Sequence, residues 1–291
     1  MPSLSEKFHD LRRKTMPPSV NDITWRHAEM TARLDRVEKS VSRALDLVAA
    51  SQPDILATLR WLRPMAPTGK RKIRVGDPGD GGYVCLDDFE GLACGLSFGV
   101  NDNDTWDLEI AERGVRVLQF DHTIERAPST HPLLEFHKTM IAAAPGEGCA
   151  TLPDLVRANG GAGPHDVLLK CDIEGDEWPM LDACPPDVLA RCAQIVCEFH
   201  DLQFLALDPF RQRAHRVFEK LNRAFFVAHV HGNNCTPMVN IANVPVPSTI
   251  EVTFVNRARC ACEESGEVFP TALDAPNNAA WPDLFLGAFR F

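Results

Sequence analysis

A single tyrosine, no CxxC pair and no surplus of positive charge are the first things missing from this chain. Formal net charge is −10, from 30 Lys and Arg against 40 Asp and Glu, which argues against nucleic acid as a partner. No uninterrupted apolar run reaches the ~18 residues of a transmembrane helix, so none is expected. The opening MPSLSEKFHDLRRK is charged and lacks an apolar h-region, so a secretory signal is not expected either. Without CxxC…CxxC spacing the ten cysteines do not read as a structural zinc site. Most fall in core-like segments, where a thiol behaves as a small hydrophobe, and a reducing, cytoplasmic compartment is the expectation. Cys260-Ala-Cys262 reads as two loop thiols rather than a redox or metal pair. A GxGxxG fingerprint is missing too, which disfavours a dinucleotide.

What is present is a globular composition, 45% hydrophobic and 24% charged, with a patterned N-terminal stretch. His27, Met30, Leu34, Val37, Val41, Ala44 and Val48 recur in steps of three and four, a seam of three heptads within a helix expected over 21–50. Two readings stand: a helix packed on its own domain, or a short coiled coil that makes a homo-oligomer. Ser51-Gln52-Pro53 ends the run, and Pro64 to Gly69 marks a boundary. The expected division is an N-terminal helical region over 1–65 and a second domain over 66–291.

From Lys70 onward short apolar strands alternate with amphipathic helices, the signature of an α/β fold with a mostly parallel, Rossmann-like sheet. The last strand follows Pro245 and Pro247 with no intervening helix, so it is expected to run antiparallel. Several strands end in polar clusters: FGVNDND after Leu96, CDIEGDEW after Lys170, CEFHD after Val196 and VHGNN after Val230. In open α/β sheets ligands bind outside the carboxyl ends of the strands, so these ends predict one crevice.

The segment LSFGVNDNDTWDLEIAERGVRVLQFDHT has the logic of a nucleotide-binding βαβ unit. Gly99 permits close backbone approach, Asp121 ends the second strand where a carboxylate can take both ribose hydroxyls, and Asn101, Asp102 and His122 flank the turn. One glycine and an acidic loop suit S-adenosylmethionine, which is cationic and carries no phosphate. Asp102 and Asp104 have a plainer reading as helix caps.

FGVNDNDTWDLEIAERG, QFDHT, LLKCDIEGDEW, IVCEFHDL and VHGNN, in that order and with DGGYV upstream, resemble FkbM-type methyltransferases and the methyltransferase-like proteins near them. The likeness spans about Arg74 to Arg257. It implies a class I methyltransferase fold, S-adenosylmethionine as donor and an O-methylated product. It carries Asp121 over as ribose ligand and Gly99 as the cofactor turn. The EFH and HGNN blocks imply a sugar or glycan acceptor.

A sugar hydroxyl is scarcely ionised at neutral pH and needs a base or a metal. Asp172 and Glu174 end one strand, Glu198 and His200 the next, His229 and His231 a third. The expected metal set is Asp172, Glu198 and His200 with His231 as ligand or base. Asp172, His200 and His231 are the expected catalytic residues, with Asp172 also touching the donor. Mixed carboxylate and imidazole ligation suits manganese, iron or zinc better than calcium, while magnesium, the remaining candidate, prefers all-oxygen sites. Plainer readings make His229 a core residue, Asp176 and Glu177 a solvated helical turn, and Asn233 and Asn234 either sugar ligands or a turn. The tail FPTALDAPNNAAWPDLFLGAFRF reads as a strap over the domain. A metal-dependent hydrolase or oxygenase and a non-catalytic oligomeric scaffold are the competing functions.

Overall fold

A computed structural model describes residues 51–291. The heptad seam of residues 27–48, and the oligomerisation inferred from it, lie outside the described residues. Seven strands form the central sheet: β1 (Cys94–Phe98), β2 (Val117–Phe120), β3 (Leu134–His137), β4 (Val167–Cys171), β5 (Cys192–Phe199), β6 (Phe225–Gly232) and β7 (Ile250–Asn256). Their spatial order is 3-2-1-4-5-7-6. β3, β2, β1, β4 and β5 pair in parallel, and β7 runs antiparallel between β5 and β6. The reversal expected from Pro245 and Pro247 is therefore present. A hairpin of Met238–Ile241 and Val244–Pro247 stands where a crossover helix would otherwise return the chain in parallel.

The order reverses between β1 and β4, which makes their carboxyl ends the natural crevice of this sheet. Both strands are buried throughout, as VLLKC and CGLSF predict for strands covered on two faces. β3 is only half-buried, so its sequence LEFH carries no apolar run to betray it.

Six α-helices accompany the sheet among the described residues: α1 (Gln52–Leu59), α2 (Thr105–Glu112), α3 (Leu152–Asn159), α4 (Glu177–Ala183), α5 (Pro186–Leu189) and α6 (Asp208–Ala224). α2 and a hairpin of Lys72–Val75 and Tyr83–Leu86 cover one face, packing on Leu168 and Val196. The other helices share the opposite core with Leu169, Cys171, Ile195 and Cys197. α6 turns Ala214, Val217, Phe218 and Leu221 inward at helical spacing. Ile55 and Leu59 of α1, with Leu62, are buried in the same core. Burying each contributes roughly 1.5–3 kcal/mol. Residues 52–62, grouped by the sequence pattern with the N-terminal region, thus belong to the sheet domain. The ten cysteines are free thiols.

Candidate functional site

The carboxyl ends of β1, β2 and β4 open into a cleft of about 460 Å³. Gly99 forms its floor with φ +77, and a Cβ there would lie 1.6 Å from the Asp172 carbonyl oxygen. Gly99 therefore lets the end of β4 come close, in addition to shaping the turn. Asp121 faces the same cleft, but both of its oxygens are engaged. Oδ2 accepts the amides of Val100 and Asn101 at 2.9 Å, and Oδ1 accepts the Thr123 amide at 2.7 Å and hydroxyl at 2.6 Å. Burial works against ionisation of this carboxyl, yet the Thr123 hydroxyl and the three amides hold it down at about 2. A carboxylate offers about four lone-pair sites. With all four facing protein donors, Asp121 braces the cleft wall rather than presenting free acceptors to a ribose. His122 and Asp102 remain exposed on that wall, beside Asn101. Asp104 is not a cap: it is buried and accepts from Ser129 and Gln119, and Asn103 caps α2 instead.

Across the sheet the register sets acids side by side. Cys171 pairs with Cys197, Glu198 with Glu251, and His231 with Glu251, so Asp172, Glu198, Glu251 and His231 form a row over four neighbouring strands. The row divides into two groups. In the first, His200 Nε2 lies 3.5 Å from Glu174 Oε2, 3.8 Å from Asp172 Oδ1 and 3.8 Å from Glu198 Oε1. Ligand atoms of Asp172, Glu174 and His200 all fall within 4.8 Å of one another. Glu198 borders this group with its oxygens engaged, one by Asn233 Nδ2 at 2.6 Å and one by the Tyr83 hydroxyl at 3.4 Å. Burial, then the Asp172 and Glu251 charges, push Glu198 well above the carboxylate range. Burial alone would lower His200, but Glu177, Glu198 and Asp172 outweigh it and raise the ring to about 9.

In the second group both His231 nitrogens are occupied, Nδ1 by Glu251 at 3.0 Å and Nε2 by Asp283 at 3.0 Å. No lone pair remains, so His231 is neither the metal ligand nor the base that the strand-end pattern suggested. Residues 265–291 cause this. They dock along β6 and β7 through Asp283, through Asp274 on His229 at 2.7 Å, and through backbone carbonyls that accept from the Asn234 side chain. Glu177 also departs from expectation. It is fully buried and accepts the amides of His200 and Gly175, each at 2.8 Å, so it lies beneath the site, while Asp176 beside it is exposed as expected.

A second cleft, about 400 Å³, opens on the far side of His200 and is lined by Asp201, Gln203, Thr236 and Ser248. Glu174 lines both clefts. It sits at φ 53, a left-handed conformation that few non-glycine residues adopt and that recurs at functional sites. Tyr83, the lone tyrosine of DGGYV, open in the sequence to lining the cofactor or packing beneath it, reaches Asp172 and Glu198 from a buried position. Glu251 is the functional-site neighbour that strand-end reasoning missed, and its trace is the lone acid in the apolar run TIEVTFV.

No family model matches the chain, and no curated protein matches it. Among solved structures it is similar to a tryptophan-to-alanine mutant of the 16S rRNA (adenine(1408)-N(1))-methyltransferase from Catenulisporales acidiphilia. Identity is 12%, coverage is 64% of this chain and 98% of that one, and the TM-score is 0.29.

Proposed function

We propose that the chain is an S-adenosylmethionine-dependent methyltransferase of the FkbM-like kind, acting on a hydroxyl of a sugar or glycan. The observation that carries this is the meeting of two clefts at Glu174, with Asp172 on the first and His200 on the second. A donor and an acceptor bound in them would be brought together at one carboxylate-lined point, the geometry that a transfer reaction requires. The first cleft is rich in carboxylates, and its lysine, Lys170, gives its ammonium to the Gly99 carbonyl. Such a wall repels a pyrophosphate and favours a cationic sulfonium. When bound, the donor supplies an electrophilic methyl group.

The residues do the rest. Glu174, the exposed carboxylate between the clefts, receives the acceptor proton. His200 is held in place from below by Glu177 and faces the acceptor side. The three donors Asp172, Glu174 and His200 also fit a divalent cation, and one imidazole with two carboxylates suits manganese, iron or zinc. There it would lower the pKa of the acceptor hydroxyl. Isothermal titration tests the reading. Binding of S-adenosylmethionine and its demethylated product, with none of NAD, is the expected result, and no heat from either sulfur compound would sink it.

A further inference from the structure

The DGGYV block has no part in the reaction so far, yet it is among the most tightly built segments of the fold. A Cβ on Gly82 would lie 1.8 Å from the Asp77 carbonyl, and Arg74 clamps the carbonyls of Asp77 and Gly79 at 2.9 and 2.6 Å. The strand that follows is fixed to the sheet by side chains. Gln194 bonds both the amide of Leu86 at 2.8 Å and its carbonyl at 2.9 Å, and the Thr253 hydroxyl donates to the Val84 carbonyl. What this construction delivers is Tyr83, buried, with its hydroxyl 3.0 Å from Asp172 Oδ2 and 3.4 Å from Glu198 Oε2.

A phenol has one proton to donate, and the shorter, better contact receives it. That contact is Asp172. The two acids stand on adjacent strands and repel each other across a buried space, with Glu198 tethered on its other side by Asn233. Asp172 has no such tether on Oδ1, which faces His200 at 3.8 Å, and its side chain is partly open to the donor cleft. The phenol is thus the contact that decides where Asp172 points. A phenylalanine would fill the same volume against Val75, Trp106 and Leu168 without doing so.

We propose, building on the transfer reading, that Tyr83 is a positioning residue: its hydroxyl donates to Asp172 and so fixes the Asp172 carboxylate at the junction of the two clefts. Tyr83→Phe tests it in a double-mutant cycle with Asp172→Asn, read by calorimetric affinity for S-adenosylmethionine. Tyr83→Phe alone should weaken the donor about tenfold, the scale of a lost hydrogen bond to a charged group. In the Asp172→Asn background the same change should cost nothing, because its effect runs through that carboxylate. Equal costs in both backgrounds would overturn the proposal in favour of a packing role. A second measurement does not depend on the donor. Because Tyr83 is the only tyrosine, a chain labelled with 13C at the tyrosine Cζ gives one resonance. Asp172→Asn should move it more than Glu198→Gln does; an unmoved resonance in Asp172→Asn would also overturn the proposal. Should the wild type bind no donor at all, the methyltransferase reading fails, and the labelled resonance still decides the role of Tyr83.

Discussion

At the ends of β1, β2 and β4 polar residues look into an open cleft, whereas at the ends of β6 and β7 residues of the same kinds lie beneath residues 265–291. FGVNDND and VHGNN are equally polar strand ends, and their amino acids give no reason to treat them differently. The difference is what covers them. Strand-end polarity marks where a ligand can bind, and a segment about fifty residues further along decides whether that place remains open. In the open half exposed side chains such as Asp102, His122 and Glu174 face the cleft, while Asp121 and Lys170 bond backbone groups and so brace its wall. In the sealed half the side chains satisfy one another, as His231, Glu251 and Asp283 do.

The largest effect should come from the seam that joins the open half together. Gly99→Ala puts a methyl group 1.6 Å from the Asp172 carbonyl at a position whose φ is +77. Backbone, unlike a flexible side chain, cannot step aside, so a loss of roughly 4 kcal/mol or more is expected. That corresponds to a fall in melting temperature of about 10 °C for a domain of this size. A melting temperature equal to wild type would show that β1 and β4 are not locked where the sheet places them.

In the sealed half the corresponding change is His231→Gln. An amide cannot balance Glu251 and Asp283, and stranding a buried charge costs about 3 kcal/mol. Donor affinity should be untouched, since His231 does not line the cleft. The pH dependence sharpens the contrast. Burial opposes charging of His231, but Glu251 first, then Asp274 and Asp283, outweigh it and raise the ring from 6.5 to about 9. The folded chain therefore favours the protonated ring. Its contribution is complete below pH 6.5 and is lost as pH rises through 9. The melting-temperature gap between wild type and His231→Gln should narrow across that window; a gap that widened would reverse the assigned charge.

How legible this was from sequence follows the same division. Strand positions in the open half were readable because buried parallel strands are near-continuous apolar runs, as VLLKC at Val167–Cys171 is. The antiparallel β7 was readable from two prolines and a missing helix. Asp172 and His200 were placed at the crevice by their strand ends, and the structure brings them together. Side-chain partnership was not readable. Nothing local distinguishes an Asp121 whose oxygens are taken by Val100, Asn101 and Thr123 from one left free. Glu177 follows Asp176 in an acidic run, and only the return of His200 above it shows that it is buried. His231 was misassigned because its partners stand 20 and 52 residues away.

The smallest effect on stability, and the sharpest test of the open half, belongs to Glu174→Gln. The Glu174 side chain is 87% exposed and its contact with His200 is 3.5 Å, so folding should change by no more than about 0.5 kcal/mol. Glutamine keeps the length and leaves the left-handed turn beside Gly175 as it is, but it removes the one charge shared by both clefts. Manganese affinity measured by calorimetry should fall about tenfold, the scale of a lost oxygen ligand or its immediate support. Turnover of a hydroxyl acceptor should fall with it, while donor affinity stays near wild type. If manganese affinity and turnover were both unchanged, the junction of the clefts would be a surface feature, and the reaction would have to be sought at Asp172 and His200 without Glu174.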